Sequence, residues 1–210
     1  MSALRLENPY NPNLWSRDDV TPKHRVVVNS LWEVPVGRGK RFLSGVPGPL
    51  NHAVGAWKVA WLSSLQSGQY FTPGFSGSDP SNTNTSGGRP DRTCNGNLPP
   101  GQRGLNRWFD TSCFVVPPAG RFGNAGTNIL EEPGVHSHNL SVTKRFTLTE
   151  RLRLEYMAAL SNVFNHPNFY APGSNISAPG QAGVITSQHD RFSSDRSGAR
   201  FVDTRLRLEF

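Results

Sequence analysis

The chain has 210 residues, 35% of them hydrophobic and 10% aromatic, with 21 Gly, 17 Pro and a formal charge of +7. So small an apolar share excludes an ordinary soluble core, while five Trp tell against disorder. The basic residues are interspersed with carboxylates and never run to about five in a row, so no nucleic-acid partner is expected; no apolar run reaches the ~18 residues of a membrane helix, which excludes helical spans but not a barrel.

The N-terminus, Met1-Ser2-Ala3-Leu4-Arg5, lacks the apolar stretch of an export signal. For an exported protein, Met1 is then expected to be an internal or artificial start. Period-two alternation marks the first strand at 24–36, where Val26, Val28, Ser30, Trp32, Val34 and Val36 share a face. Arg25, Asn29 and Glu33 lie opposite, with Val27 and Leu31 as exceptions, and Pro35 and Gly37 end the run. A second strand is predicted at 53–66, with Trp57, Val59, Trp61 and Leu65 against Lys58, Ser64 and Gln66, a pattern that Leu62 interrupts. At 138–146 the alternation is clearest: Leu140, Val142 and Phe146 against Asn139, Ser141, Thr143 and Arg145. After the tight connection Thr147-Leu148-Thr149-Glu150, a strand at 151–164 sets Leu152, Leu154, Tyr156, Ala158 and Leu160 against Arg151, Arg153, Glu155 and Ser161. The last, 200–210, alternates Val202, Thr204, Leu206, Leu208 and Phe210 with Asp203, Arg205, Arg207 and Glu209.

These strands have about the ten-residue length that crosses a bilayer obliquely. Alternation alone also fits a soluble antiparallel sandwich. Connection lengths favour the barrel, because segments as long as 67–135 and 166–199 are uncommon inside a compact soluble domain. Short turns on one side and long loops on the other are the build of outer-membrane barrels. On that scheme the C-terminus and the short turns are periplasmic, the loops 67–135 and 166–199 are extracellular, and 37–52 forms a long periplasmic turn.

Cys94 and Cys113 are the only cysteines and share the first long loop. A disulfide there suits an oxidising compartment; two free thiols are the alternative. Trp32, Trp57, Trp61, Tyr156 and Phe210 suit the headgroup level of a membrane, since their rings are amphipathic or end-placed. Trp108 and Phe109 fall in the loop, where they either stack on a ligand such as a sugar ring or pack beside the cysteines. His136 and His138 share a face, but no Cys or carboxylate at matching spacing completes a metal site. Ser187, His189 and Asp190 have no nucleophile-elbow context, and Gly37-Arg38-Gly39-Lys40-Arg41 lacks phosphate-loop spacing. No catalytic residue, metal or cofactor is expected, and the chain is not read as an enzyme.

Several segments then resemble one family in order along the chain. Leu160-Ser161-Asn162-Val163-Phe164-Asn165-His166-Pro167-Asn168-Phe169 resembles the penultimate-strand segment of TonB-dependent receptors, and the alternating strand ending in Phe210 resembles the signature read by the barrel-assembly machinery. His24-Arg25 with Trp32-Glu33-Val34-Pro35-Val36-Gly37-Arg38-Gly39-Lys40-Arg41 resembles a run of the Oar-like branch, which carries a carboxypeptidase-regulatory-like domain. So do Leu65-Gln66-Ser67-Gly68-Gln69-Tyr70-Phe71-Thr72, Asn106-Arg107-Trp108-Phe109-Asp110 and Phe122-Gly123-Asn124-Ala125-Gly126-Thr127-Asn128.

The resemblance implies an all-β fold: an antiparallel transmembrane β-barrel fragment, about the last five strands of a 22-strand plugged barrel, with long extracellular loops. Residues 1–210 would be the partial C-terminal barrel of a receptor located in the outer membrane. It would take up a large nutrient, a saccharide or metal chelate, and would not be competent alone. Its partners would be outer-membrane lipid, the remaining barrel and plug, the barrel-assembly machinery, which would read Phe210, and TonB through a missing N-terminal part. A secreted β-sandwich binding or adhesion module is the competing expectation.

Overall fold

The computed structural model describes residues 21–189 and 198–210. The expectations that touch 1–20 and 190–197, including the Met1 start and Asp190, lie outside them. Among the described residues two compact units emerge: one of 25–65, 135–168, 189 and 198–210, the other of 21–24, 66–134 and 169–188.

The first unit is a five-stranded sheet. Its strands are β1 (Arg25–Glu33), β2 (Trp57–Gln66), β7 (Val135–Thr147), β8 (Arg153–Ser161) and β9 (Phe201–Glu209), side by side in the order β1-β2-β7-β8-β9. The register explains the faces, since directly opposed residues in an antiparallel pair point the same way. One set of rows is Leu140·Leu160·Val202, Val142·Ala158·Thr204, Lys144·Tyr156·Leu206 and Phe146·Leu154·Leu208. The intervening rows are Ser141·Ala159·Asp203, Thr143·Met157·Arg205, Arg145·Glu155·Arg207 and Thr147·Arg153·Glu209. One face is therefore apolar except for Lys144 and Thr204, and the other carries most of the charge.

Strand ends differ from the alternation pattern for local reasons. β1 stops at Glu33 because Pro35 has no N–H and Val36 N turns back to Val34 O at 2.8 Å. β2 starts at Trp57 rather than 53, since residues 48–54 form a short helix, α1 (Gly48–Val54), with Gly55 N donating to Asn51 O. The link between β1 and β2 is thus a folded connection. Between β7 and β8 the turn takes in residue 152: Leu148 N and Thr149 N both donate to Leu152 O, and Leu152 N donates to Thr149 Oγ1. β8 ends at Ser161 because Asn162 has φ of 49°, a left-handed conformation that asparagine tolerates better than most.

The long loops are not structureless. They make the second unit, with short strands β3 (Tyr70–Phe71), β4 (Asp91–Arg92), β5 (Phe114–Val115) and β6 (Leu130–Glu131), paired β3 with β6 and β4 with β5. Phe71, Phe109, Cys113, Phe114 and Leu130 form its core, and Ile129 and Ile176 pack against them. Phe71 and Phe114 each meet the Phe109 ring edge-on, at 5.8 and 5.9 Å, which adds to the burial energy. The two ends of the 66–134 segment meet: Glu132 N donates to Gln69 O at 2.8 Å, and a Cβ on Gly68 would stand 1.7 Å from Glu132 O. Only glycine permits that approach.

The core and the sheet divide the apolar residues in an unusual way. Large apolar residues of the sheet remain open, with Trp32 69% and Leu206 67% exposed. No leucine of the sheet fills an enclosed core among the described residues. A lipid-facing surface is what such residues suit. Val142→Arg should therefore cost about 2–4 kcal/mol in lipid, the figure for a cation near mid-membrane on that face. Thr143→Arg, one residue along and on the charged face, should cost well under half as much. Denaturant titration of the protein refolded in lipid vesicles compares the two, and equal costs would refute the facing.

Candidate functional site

On the polar face, charges pair across strands. Lys58 reaches Glu33 at 3.0 Å, Lys40 reaches the same carboxylate at 3.7 Å, and Arg145 reaches Glu155 at 2.9 Å. These pairs are about half open to solvent on the basic side. Their energetic value is small, and they define a hydrated, charged surface more than they stabilise the sheet. Beside them a cavity of about 360 Å3 is bounded by Glu33, Lys58, Thr143, Arg145 and Glu155 on the strands and by Arg38 and Asn51 on the connection. Asn51 Oδ1 accepts from Arg38 N at 2.7 Å and so ties that connection to α1.

Lys144 is the exception on the apolar face, and alternation alone passes over it. It is only 2% exposed. Its Nζ donates to Ala53 O at 2.8 Å and Gly55 O at 2.6 Å, the carbonyls left open at the end of α1. The Trp57 and Phe146 rings lie 4.6 and 5.0 Å from the ammonium. A cation so placed satisfies carbonyls that an apolar medium would leave costly.

Further along the same face Trp61 Nε1 donates to Ser63 Oγ at 2.7 Å, and Ser63 Oγ lies 2.8 Å from His138 Nδ1. The His138 ring also meets Phe164 at 5.0 Å, while His136 lies beside His166. Among the described residues no group of three or more His, Cys, Asp or Glu stands close enough to hold a metal.

The asparagine-rich segment after β8 has a structural task. Asn162 Nδ2 donates to His166 O and Gly198 O, and its Oδ1 accepts from His166 N. Asn168 brackets His136, accepting from its N at 2.8 Å and donating to its O at 3.0 Å. Nothing in side-chain alternation signals these roles; the recurrence of Asn at 162, 165 and 168 is the visible cue.

In the second unit Cys94 and Cys113 are joined in a disulfide, with Cα atoms 4.9 Å apart. Closing a loop of that size contributes roughly 3 kcal/mol on the chain-entropy model. Phe109 is 1% exposed and sits in the core, so its ring is not presented to any ligand. Trp108 donates from Nε1 to Glu131 O at 2.7 Å, and the Arg103 guanidinium lies 5.5 Å from its ring. Both residues pack the unit, because a largely apolar ring stabilises most where it leaves water. Phe210 is 98% exposed, beyond the end of β9.

Several residues not singled out by sequence hold this unit together. Asp91 binds Arg121 through both carboxylate oxygens and accepts from Asn124 N at 3.2 Å. Asn124 Oδ1 in turn accepts from Arg92 N at 2.7 Å. Hydrogen bonding to Arg121 holds the Asp91 carboxyl below the usual carboxylate range.

An antiparallel sheet with one open apolar face and one charged face is the two-sided wall that an outer-membrane barrel presents to lipid and to water. Residues 2–200 match the family model described as "Outer membrane beta barrel domain". The chain belongs to that family, and the protein is located in the outer membrane. No curated protein and no solved structure matches the chain.

Two outcomes follow from these contacts. Lys144→Met should cost about 1–3 kcal/mol, since it leaves the carbonyls of Ala53 and Gly55 without their donor. Unfolding by urea in lipid measures this, and a neutral result would show that the ammonium is dispensable. Asp91 titrates lower when folded than unfolded, so its contribution is complete above about pH 4 and is lost as pH falls through the depressed value. Asp91→Asn should weaken the second unit by about 1–2 kcal/mol at neutral pH, Arg121's exposure limiting the figure, and should flatten its acid sensitivity. Protease susceptibility of residues 66–134 against pH reads both effects.

Proposed function

We propose that the chain forms about the last five strands of a 22-strand, plugged barrel of the TonB-dependent-receptor type, in its Oar-like branch. The single observation that carries this reading is the sheet itself: its apolar face lies open while the apolar core of the chain is elsewhere. The ordered run of motifs along the chain narrows it from barrel to receptor. On this reading the polar face lines the lumen, the turn between β7 and β8 is periplasmic, and the second unit is extracellular. The sheet's outer strands, β1 and β9, carry backbone groups that lipid cannot satisfy, so both must pair with further strands of the barrel.

The function is energised uptake of a large nutrient, a saccharide or metal chelate, by the assembled receptor. The chain itself has no catalytic step and no cofactor in this scheme. Outer-membrane lipid, the rest of the barrel with its plug, the barrel-assembly machinery and TonB are its partners. Retention of the parent protein on the periplasmic domain of TonB, dependent on an intact TonB box, tests the receptor reading; absence of retention removes it. Release from membranes by alkaline carbonate would return the secreted β-sandwich module.

Phe210 has the role of an assembly signal here, read during insertion. Phe210→Ala should lower the amount of protein in the outer membrane severalfold while leaving inserted molecules close to normal in heat resistance. Membrane fractionation with surface protease access measures the first, and gel shift on heating the second. Undiminished insertion would remove this role.

A further inference from the structure

The connection between β1 and β2 leaves its largest apolar side chains in the open. Phe42, Leu43 and Leu50 are each more than half exposed. Their backbone is held in place: Phe42 N donates to Pro35 O at 3.0 Å, Phe42 O accepts from Gly37 N at 3.0 Å, and Val46 N donates to Leu43 O at 3.3 Å. Leu43 has φ of 57°, a left-handed conformation that glycine adopts freely and a branched side chain only at a cost. A position suited to glycine thus carries an exposed leucine. Neither local conformation nor internal packing accounts for that choice; an outside partner that takes the side chain out of water does.

The place of the connection says which partner. Lys144 stands on the apolar face of the sheet, and its bonds to Ala53 O and Gly55 O draw the end of α1 to that face. The connection therefore continues the surface that meets lipid. It lies where β7 turns into β8, since Ser63 is beside His138 and Ala53 beside Lys144, and that end is the one read above as periplasmic. Residues 34–57 include Arg38, Lys40 and Arg41 and no Asp or Glu. Lys40 is engaged with Glu33, and Arg38 lines the cavity on the polar face. Arg41 holds its guanidinium 5.7 Å from the centre of the Phe42 ring, which puts a cation directly beside the open apolar group. An apolar wedge with a cation at its shoulder suits a membrane surface whose headgroups carry net negative charge.

We propose that the 37–52 connection is an interfacial anchor that seats on anionic glycerophospholipid of the inner leaflet, with Phe42, Leu43 and Leu50 at the acyl-chain boundary and Arg41 on the phosphate. It rests on the barrel reading and its orientation, and adds to them a lipid of stated charge at a stated segment.

Native mass spectrometry of the purified parent protein, titrated in detergent with phosphatidylglycerol, phosphatidylcholine and lipid A, tests the anchor. Phosphatidylglycerol should bind about fivefold tighter than phosphatidylcholine, the effect of one cation at an anionic surface. Arg41→Gln should bring the two to parity, and Arg41→Lys should keep the difference. Leu43→Gly should weaken both by at least about threefold while heat resistance stays close to normal or rises, because apolar contact and strain are removed together. A leucine with only a folding role would shift heat resistance and leave lipid binding alone. Parity in the unaltered protein, a preference that survives Arg41→Gln, or full lipid affinity in Leu43→Gly overturns the proposal. So does loss of lipid A in place of phosphatidylglycerol on Arg41→Gln, which would put the segment at the outer leaflet. Alkaline carbonate extraction separates the two readings: a protein that stays in the membrane without lipid preference loses only the anchor, whereas release overturns the barrel reading with it.

Discussion

The antiparallel backbone ladder running through β7, β8 and β9 is the constraint on which the remaining structure depends. Each pairing in it, from Leu140 with Leu160 to Leu154 with Leu208, fixes the face of every side chain along three strands at once. A slip of one residue would exchange the leucines for the arginines. In lipid the same ladder also satisfies the backbone, which has no water to fall back on. Side-chain facing and backbone satisfaction are thus a single requirement, and it leaves little freedom in register.

That requirement explains why the buried apolar cluster belongs to the loop unit and not to the main sheet. A soluble protein must bury its apolar face against another layer. Here lipid takes the place of the second layer, and burial is needed only in the unit made from the long loops, where Phe71, Phe109, Phe114 and Leu130 meet. The disulfide and the Asp91–Arg121 pair reinforce a core that is small for the amount of chain it holds. The low apolar content of the sequence, which excluded an ordinary soluble core, is the composition of a chain with two modest apolar surfaces.

Much of the sheet was legible because its signal is local. Period-two alternation located the strands near 138–146 and 200–210 from side chains alone, and the leucine and arginine faces follow from the same count. Strand ends were less legible, since they depend on single backbone events: the missing N–H of Pro35, the positive φ of Asn162, the Thr149 hydroxyl in the turn. Lys144 was passed over because its partners, Ala53 and Gly55, are distant in sequence and use carbonyls that no residue type advertises. The loop unit was hardest to read. Its contacts join residues such as Thr72 with Asn128 and Gly74 with Ser174, and their chemistry is that of ordinary turn residues. Phe109 in the core differs from any other loop phenylalanine only by what the fold places around it.

The closed neck at Gly68 and Glu132 has a consequence for how such a chain can diversify. A long insertion normally frees its two ends to wander, at an entropic cost that grows with its length. Here Tyr70 and Phe71 pair with Glu131 and Leu130 immediately beyond the neck, so the ends are held at strand spacing before the rest of the segment begins. Residues past that point can lengthen, shorten or be exchanged without changing the distance between the two points where the segment begins and ends. The insertion behaves as a cassette, and new outer surfaces can be tried on it while the neck keeps its ends in place.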